Sequence, residues 1–265
     1  MNAEIAVILP CFNNLAGLQK SVASVQSQRK TAVVVIDDGS LPKVEPEQLM
    51  PFLKPGVTLH LLTNIQNAGI EKSLNRGLQF AKEELGCLFL ARLDAGDTCH
   101  PERLDQQAAF LQERPKVFLV GSWVDMVDPA QKHLFTFTAP TGHERIASQM
   151  YINNCFLHPS VMFKASAIDT LGYYSLDFPA AEDYEYFFRF VKQYQVAILD
   201  QVLLTCEHHP NGISMTKRTV QIKSRNKVIL HYFNYSPAAF IGLVKNCVFL
   251  MLPYSWVSWA KKKLY

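Results

Sequence analysis

Acidic residues are missing from the last fifth of the chain: no Asp or Glu follows Glu207 in a sequence of 265 residues. Nine Lys and Arg give residues 208–265 a formal charge of +9, while residues 1–207 carry −6. Glycine and proline, at 12 and 14, are too few for a collagenous or low-complexity chain, and 49% hydrophobic residues predict a substantial buried core. The sequence therefore predicts an acidic globular body with a basic C-terminal segment.

Paired cysteines and a basic leader are also missing. The six cysteines are spread along the chain with no CxxC pair, which indicates reduced thiols in a cytosolic protein and argues against a zinc site. The N-terminal apolar run, residues 5–9, is short and is preceded by Glu4 rather than by basic residues. We therefore interpret it as a buried strand and not as a signal peptide.

Strands and helices alternate through the first hundred residues. Continuous apolar runs predict strands at residues 5–9, 32–36, 57–62 and 87–90, and helical spacing predicts helices at 15–28 and near 70–84. A further strand at 117–127 and an aromatic-rich helix at 181–194 follow. This alternation predicts an α/β domain with a mostly parallel sheet.

Polar clusters end three of the predicted strands, at residues 10–14, 37–40 and 94–97. Because ligands bind beyond the carboxyl ends of parallel strands, we expect the clusters to meet in one crevice. Asp94 and Asp97 suit a hard divalent cation such as Mg²⁺ or Mn²⁺, although Asp97 can equally cap the segment that follows it. Asp38 can accept a hydrogen bond from a nucleobase, or it can belong to an ordinary turn.

Ten short motifs occur in a characteristic order. They are PCFN at 10–13, SVQSQ at 24–28, DDGS at 37–40, NAG at 67–69, SLN at 73–75, ARLDAGD at 91–97, PERL at 101–104, HPSVM at 158–162, AEDYE at 181–185 and HPNGIS at 209–214. Through this set, the sequence over roughly residues 3–215 resembles an inverting family 2 glycosyltransferase of the GT-A fold, of the type that builds bacterial surface polysaccharides.

The resemblance implies transfer of a sugar from a nucleotide diphosphate donor, with UDP as the expected nucleotide, to a hydroxyl of a glycan or lipid-linked acceptor. It makes Asp183 the catalytic base, which takes the proton of the attacking hydroxyl. It assigns nine residues to donor binding: Pro10, Phe12, Asn13, Asp38, Asn67, Gly69, Asn75, Arg92 and Asp94.

The resemblance also implies a Mn²⁺ or Mg²⁺ ion held by Asp94, Asp97 and His209. The family's usual form is Asp-x-Asp-Asp, and this sequence has Gly96 where the middle carboxylate usually stands. That difference leaves the number of metal ligands open and favours Asp97 as the direct one. Two residues before His209, Glu207 stands where relatives commonly carry Arg, so the local charge differs as well.

Two further residues are assigned to the acceptor side, His158 and Glu182, with a packed structural role as the alternative for His158. Asp183 lies at the start of the predicted aromatic helix, where it can also serve as the N-cap. A helix start would aim the Asp183 carboxylate and lower its pKa.

The C-terminal segment is apolar as well as basic. Residues 238–260 are mostly hydrophobic but are interrupted by Lys245 and Pro253, and three lysines follow at 261–263. This pattern favours a segment lying in the interface of an anionic membrane over one that spans it. The alternative is a helix that packs on the catalytic domain or on a second subunit in a homodimer. No recognition motif indicates nucleic acid.

We therefore predict a glycosyltransferase domain at 1–215 and a helical tail at 216–265, attached peripherally to the cytoplasmic face of the cell membrane. A sugar nucleotidyltransferase is the alternative enzyme, but it would need a glycine-rich basic loop after the first strand, which residues 10–14 lack. A non-catalytic binding subunit with a decayed site is the other alternative, for which Gly96 is the one indication.

Overall fold

A computed structural model describes residues 3–207 and 217–252 as a mixed α/β sheet with flanking helices. The strands are β1 Ile5–Cys11, β2 Thr31–Asp37, β3 Val57–Thr63, β4 Phe89–Arg92, β5 Thr98–Cys99, β6 Val117–Val127, β7 His133–Phe137, β8 Met162–Lys164 and β9 Gln195–Glu207. The helices are α1 Leu15–Ser24, α2 Ile70–Gln79, α3 Arg103–Glu113, α4 His143–Gln149, α5 Ala167–Leu171, α6 Glu182–Gln193, α7 Arg218–His231 and α8 Pro237–Met251. A π-helical turn, Phe80–Glu84, extends α2.

The sheet has the order β3-β2-β1-β4-β8-β6-β9-β5, with β7 paired to β6. Strands β3, β2, β1 and β4 pair in parallel, and β9 is parallel to β6. Because β8 is antiparallel to both β4 and β6, these two run in the same direction. Six of the nine strands in the described residues therefore run one way, and the predicted mostly parallel α/β fold is confirmed.

Strand β1 is covered on both faces, as its continuous apolar run predicts. Val7 and Leu9 belong to the core packed by α1 and α3, whereas Ala6 and Ile8 belong to the core packed by α2 and α6. All seven residues of β1 are buried. The two cores hold β1 at the centre of the sheet, so its carboxyl end has a fixed position.

The chain reverses its strand order at β1, because β2 lies on one side of β1 and β4 on the other. In α/β sheets, ligands bind beyond the strand ends at such a switch point. The loop after β2 closes in on the same edge: Gly39 has a φ of 77°, and a Cβ there would lie 2.5 Å from the Gln66 carbonyl carbon. Glycine is therefore required for the loops after β2 and β3 to meet.

Helix α6 is the predicted aromatic helix, and it buries Tyr184, Tyr186, Phe187, Phe188 and Phe190. Side chains on nearly every face of α6 are buried, because the helix lies between the sheet and α7. The N-cap is Ala181, and the capping role considered for Asp183 is wrong, since that residue lies within the first turn.

Helices α7 and α8 pack on the body of the protein, as the alternative interpretation of the tail expects for this part of the chain. The hydroxyl of Tyr232, the residue that directly follows α7, donates to Glu185 Oε1 at 2.8 Å. In α8, Gly242 approaches the sheet domain so closely that a Cβ would lie 1.9 Å from the Tyr151 carbonyl oxygen. Among the described residues, no helix combines the length and hydrophobicity needed to cross a bilayer. The division at residue 215 stays a prediction.

Candidate active site

Two adjoining cavities open at the carboxyl ends of β1 and β4. The first has a volume of 330 Å³ and the second 560 Å³. Six residues line both: Pro10, Cys11, Phe12, Ile70, Ala180 and Glu182. The cavities therefore form one continuous cleft. Ala180 has a φ of 60°, a left-handed conformation that is costly for a residue with a Cβ and that is found preferentially at functional sites.

The first cavity contains Asp38 together with Asn67 and Gly69. Asp38 Oδ1 accepts hydrogen bonds from the Asn64 amide at 2.7 Å and the Ala68 N–H at 2.9 Å, and Oδ2 accepts one from the Gly69 N–H at 3.0 Å. Asp38 thus fixes the loop after β3 while facing the cavity. Its neighbour Asp37 instead fixes the loop after β2, accepting from the backbone N–H groups of Ser40 and Val44.

Two predicted donor residues have structural partners instead. The Asn75 side chain bonds both the N–H and the carbonyl of Tyr174, each at 2.8 Å. Asn13 Oδ1 accepts from the Leu41 N–H at 2.9 Å. Neither belongs to the described lining of the two cavities. They hold the loops that form the cleft, and donor contact by their side chains stays a prediction.

The second cavity has Arg92 and Asp94 at its base. Arg92 is buried, donates to the Ile8 carbonyl at 3.1 Å and to the Leu93 carbonyl, and forms an ion pair with Asp94. The Asp94 side chain is 43% exposed. A buried cation at the end of β4 therefore holds an open carboxylate at the mouth of the cleft.

Asp97 lies behind Asp94 and faces the end of β9. Its Oδ1 accepts from the Glu207 N–H and its Oδ2 from the Cys206 thiol, both at 3.1 Å. Burial and then the charge of Asp94 raise the pKa of Asp97 to about 7. The considered capping role for Asp97 is wrong, because α3 begins at Arg103 after Glu102.

Asp94 lines the second cavity, whereas Asp97 is not in the described lining of either cavity, so joint binding of a divalent cation by the two carboxylates stays a prediction. Carboxylates are preferred ligands of Mg²⁺ and Mn²⁺, and substrate phosphates and water commonly complete such sites. Positive charge would also relieve the repulsion between the two side chains. Residues 3–207 and 217–252 contain no cluster of three or more His, Cys, Asp or Glu that could hold a metal. His209 lies outside the described residues and stays a prediction.

Asp183 lies in the second cavity, on the first turn of α6. Its Oδ1 accepts from the Tyr184 N–H at 2.7 Å and its Oδ2 from the Asn154 amide at 3.1 Å. Burial raises the pKa of Asp183 to about 6, although the Tyr184 N–H and the Arg225 charge act in the opposite direction. The helix start does act to lower this pKa, as expected, but desolvation outweighs it and the net shift is upward.

Glu182 lines both cavities, and its Oε2 atom is buried with no hydrogen-bond partner. Burial and then the charge of Asp183 raise the pKa of Glu182 to about 8. The two carboxyl groups titrate as a pair, so at neutral pH the pair carries about one negative charge. A protonated Glu182 can donate a hydrogen bond to a ligand oxygen in the cleft.

His158 lines the second cavity and also packs against neighbouring aromatic side chains. Its Nε2 lies 2.9 Å from the Tyr174 hydroxyl, and its ring meets the Phe187 ring edge-on at 5.9 Å. Burial and the Arg92 charge lower the pKa of His158 well below its usual value. His158 is therefore neutral, and the considered structural role and a cavity-facing role are both compatible with its position.

Sequence reasoning missed four residues of the cleft, namely Asn154 and three residues at or just before α7. Lys217 lines the first cavity, and Gln221 and Arg225 line the second. The last three follow one another at intervals of four, which is the spacing of one helix face. That spacing is visible in the sequence, but the basic segment was interpreted as a membrane tail.

Comparisons with known proteins point to one family. The model of the family described as "Glycosyl transferase family 2" matches residues 6–172. The bifunctional glycosyltransferase pgtA of Dictyostelium discoideum is 24% identical over 83% of this chain, which spans 34% of that protein's length. The amylovoran biosynthesis glycosyltransferase AmsE of Erwinia amylovora is 29% identical over 60% of this chain and 58% of its own.

Solved structures share the fold at low identity. S. aureus TarS, in complex with UDP-GlcNAc, superimposes with a TM-score of 0.64 at 17% identity, covering 92% of this chain and 71% of its own. The mannosyltransferase PcManGT from Pyrobaculum calidifontis, in complex with GDP-Man and Mn²⁺, gives a TM-score of 0.64 at 16% identity, covering 97% and 72%. These neighbours support the GT-A arrangement of the sheet and helices.

Proposed function

Because the chain belongs to glycosyl transferase family 2, we propose that it transfers a sugar from a nucleotide diphosphate to an acceptor hydroxyl, with inversion, in the synthesis of a polysaccharide. The observation that carries the proposal is the joint position of Asp94 and Asp183 in one cavity that continues into the cavity of Asp38. Two relatives named for polysaccharide synthesis, AmsE and the O-antigen enzyme WbnJ of Escherichia coli, support the choice of pathway class.

The donor would lie along the cleft. Pro10 and Phe12 would line the nucleobase, and Asp38 would accept a base N–H while Asn67 and Gly69 close the end of the pocket. UDP is the nucleotide we propose, in keeping with the UDP-GlcNAc complex of TarS. Asp94 and Asp97 would hold a divalent metal ion, which when bound offsets the charge that grows on the leaving diphosphate.

Asp183 would act as the base. As the acceptor oxygen forms its bond to the anomeric carbon, the bond to the diphosphate oxygen breaks, and the hydroxyl proton passes to the Asp183 carboxylate. Asn154 and the Tyr184 N–H hold that carboxylate in a fixed orientation. Glu182 and His158 line the same cavity and would orient the sugar hydroxyls on the acceptor side.

Slow donor hydrolysis tests this function without a known acceptor. UDP-GlcNAc, UDP-glucose, UDP-galactose and GDP-mannose are incubated with the protein and Mn²⁺ or Mg²⁺, and nucleotide diphosphate release is measured. We expect release from at least one donor, and loss of that release after metal is removed with EDTA. The absence of both binding and hydrolysis for every donor would support a non-catalytic binding subunit instead.

We further propose that the protein attaches peripherally to the cytoplasmic face of an anionic membrane. Helix α8 presents an apolar face in which Phe240, Ile241, Val244 and Met251 are each more than half exposed. Each basic residue near an anionic leaflet adds about 1 kcal/mol of attraction, and residues 208–265 contain seven besides Lys217 and Arg225, which line the cleft. The lysines at 261–263 and both tryptophans of this segment lie outside the described residues.

Vesicle sedimentation tests the attachment. The double variant I241S/V244S removes two exposed apolar side chains, each worth roughly 1–2 kcal/mol when buried, so binding to phosphatidylglycerol vesicles should fall about 10-fold or more. The control is L88S, which changes an equally exposed leucine before β4. Unchanged sedimentation of the double variant would contradict the proposal, and conversion of a dimer to a monomer would assign the face to a second copy.

A further inference from the structure

One face of α7 forms a wall of the cleft. Lys217, immediately before the helix, lines the first cavity, and Gln221 and Arg225 line the second. The residues on another side of the same helix, including Val228 and Ile229, are buried in the core. The helix is therefore anchored by its apolar side, and its cleft side offers one amide and two cations.

Arg225 has an unused hydrogen-bond donor in this wall. Its guanidinium lies over the Tyr184 ring, 4.8 Å from the centroid, and its Nε is buried with no hydrogen-bond partner. A buried N–H that has lost water and gained no acceptor costs about 1–3 kcal/mol. Such a group takes its acceptor from a bound water or from a ligand.

Asp183 is near Arg225 but does not satisfy it. The Arg225 charge acts on the pKa of Asp183, yet the ion pairs formed within 4.0 Å by the described residues do not include this pair. Each Asp183 oxygen already accepts a hydrogen bond, from the Tyr184 N–H and from Asn154. A further oxygen-bearing group can therefore enter beside Asp183 and meet the Arg225 N–H.

Arg92, the other arginine of the second cavity, is used differently. Its Nε is also buried without a hydrogen-bond partner, but its terminal nitrogens bond two backbone carbonyls and pair with Asp94. Its charge acts on Glu182 and Asp97, whereas that of Arg225 acts on Asp183 and Tyr184. Arg225, which lies over the Tyr184 ring next to Asp183 in the chain, is therefore the arginine that acts on the proposed base.

We infer that Arg225, with Gln221, binds an acidic group of the acceptor, a phosphate or a carboxylate, beside the hydroxyl that Asp183 deprotonates. This inference rests on the proposed glycosyl transfer and adds the acceptor class to it. A guanidinium offers several N–H donors in one plane and suits the paired oxygens of either acid. A neutral acceptor would leave the Nε–H unpaired and would be selected against.

Anion titration of the full-length protein tests the inference. The protein is first saturated with UDP and Mn²⁺, or with the nucleotide that the donor screen identifies, so that added anions cannot occupy the diphosphate position. Inorganic phosphate, glucuronate and farnesyl diphosphate are then titrated by calorimetry, with glucose as the neutral control. Glucuronate represents an acidic sugar and farnesyl diphosphate a lipid-linked diphosphate, so the stronger ligand identifies the source of the charge.

We expect at least one anion to bind the wild type and to bind R225Q at least 10-fold more weakly, with R225K between them. K223Q is the matched control, because Lys223 is an exposed residue of the same helix outside both cavities. Equal binding by R225Q and wild type, or no anion binding by the wild type, would overturn the inference. Failure to bind any nucleotide would contradict the proposed transfer itself, and nucleotide binding is recorded first.

A second readout separates anion binding from an effect through Asp183 alone. The pH dependence of donor hydrolysis is measured for wild type and R225Q, since water as acceptor carries no acidic group. If Arg225 acted only on the ionisation of Asp183, R225Q would move the acidic limb of this profile to higher pH and leave anion binding intact. That combination would contradict the inference, whereas weakened anion binding would support it even where the acidic limb also moves, because loss of the Arg225 charge is expected to raise the pKa of Asp183.

Discussion

Replacing Asp183 by Asn should separate activity from stability, because the same burial that makes the carboxylate a useful base makes it costly to the fold. The pKa of Asp183 is raised from 3.8 to about 6, and this rise corresponds to about 3 kcal/mol of destabilisation when the group is ionised. The sign follows from the direction. The folded protein holds the proton more tightly than the unfolded chain, so this cost is absent below pH 4 and complete above pH 6.

The Asn variant avoids that cost but loses one acceptor. Asn keeps one oxygen for the Tyr184 N–H or the Asn154 amide, and the lost hydrogen bond costs about 1 kcal/mol. We therefore expect D183N to be more stable than the wild type by about 2 kcal/mol at pH 7.5 and slightly less stable at pH 4. Urea unfolding at the two pH values measures the difference.

The activity of D183N should fall even though its stability at pH 7.5 rises. Loss of a general base commonly reduces the rate by 10²–10⁴-fold, so donor hydrolysis by D183N should fall about that much while the donor KM stays within about 3-fold. The wild-type rate should fall tenfold per pH unit below about 6, where Asp183 takes up its proton. D200N, at an exposed position on β9, is the control. A stability difference independent of pH, or hydrolysis above a tenth of wild type, would refute this reasoning.

Two further substitutions test the walls of the cleft. Asp38→Ala removes three hydrogen bonds that fix the loop after β3, so UDP affinity measured by calorimetry should fall at least 10-fold, and unchanged affinity would contradict the assignment of the first cavity. Ala180→Gly relieves the left-handed conformation and should stabilise the protein by up to about 1 kcal/mol in urea unfolding, whereas Ala239→Gly inside α8 should destabilise it by about 1 kcal/mol. Equal losses in both glycine variants would show that Ala180 carries no strain.

The fold was predictable wherever an apolar run was long and continuous. Strands β1, β2 and β3 were predicted to within two residues at either end, since β1 and β2 are buried along their whole length and β3 is mostly half-buried. Strand β4 begins two residues later than predicted, because Cys87 and Leu88 precede the paired segment. The predicted helix at 15–28 ends at Ser24, after which Val25 is already extended.

The site was predictable in part. Motif order identified Asp38, Asp94 and Asp183, which the structure places in the continuous cleft. The sequence could not show that Asn13 and Asn75 hold loops, because an asparagine that holds a loop and one that binds a donor are the same residue type. The raised pKa of Asp183 was missed because desolvation depends on how the aromatic helix is packed.

The cleft wall on α7 was missed for a related reason. Lys217, Gln221 and Arg225 are polar residues on a helix face that a sequence pattern assigns to solvent, whereas in the fold that face lines a cavity. Basic composition alone then favoured a membrane surface. The burial of Val228 and Ile229 in the core, and the packing of Tyr232 on Phe188 with ring centroids 5.3 Å apart, bring the helix to the catalytic body.

The most direct test of the central claim is the anomeric configuration of the sugar first released from the donor. Proton NMR of the hydrolysis of an α-linked donor such as UDP-GlcNAc can follow the product before it mutarotates. Direct attack by water activated by Asp183, on the face opposite the diphosphate, predicts the β-anomer together with UDP. Release of the α-anomer, or of a sugar phosphate with UMP, would contradict a single-displacement glycosyltransferase site in this cleft.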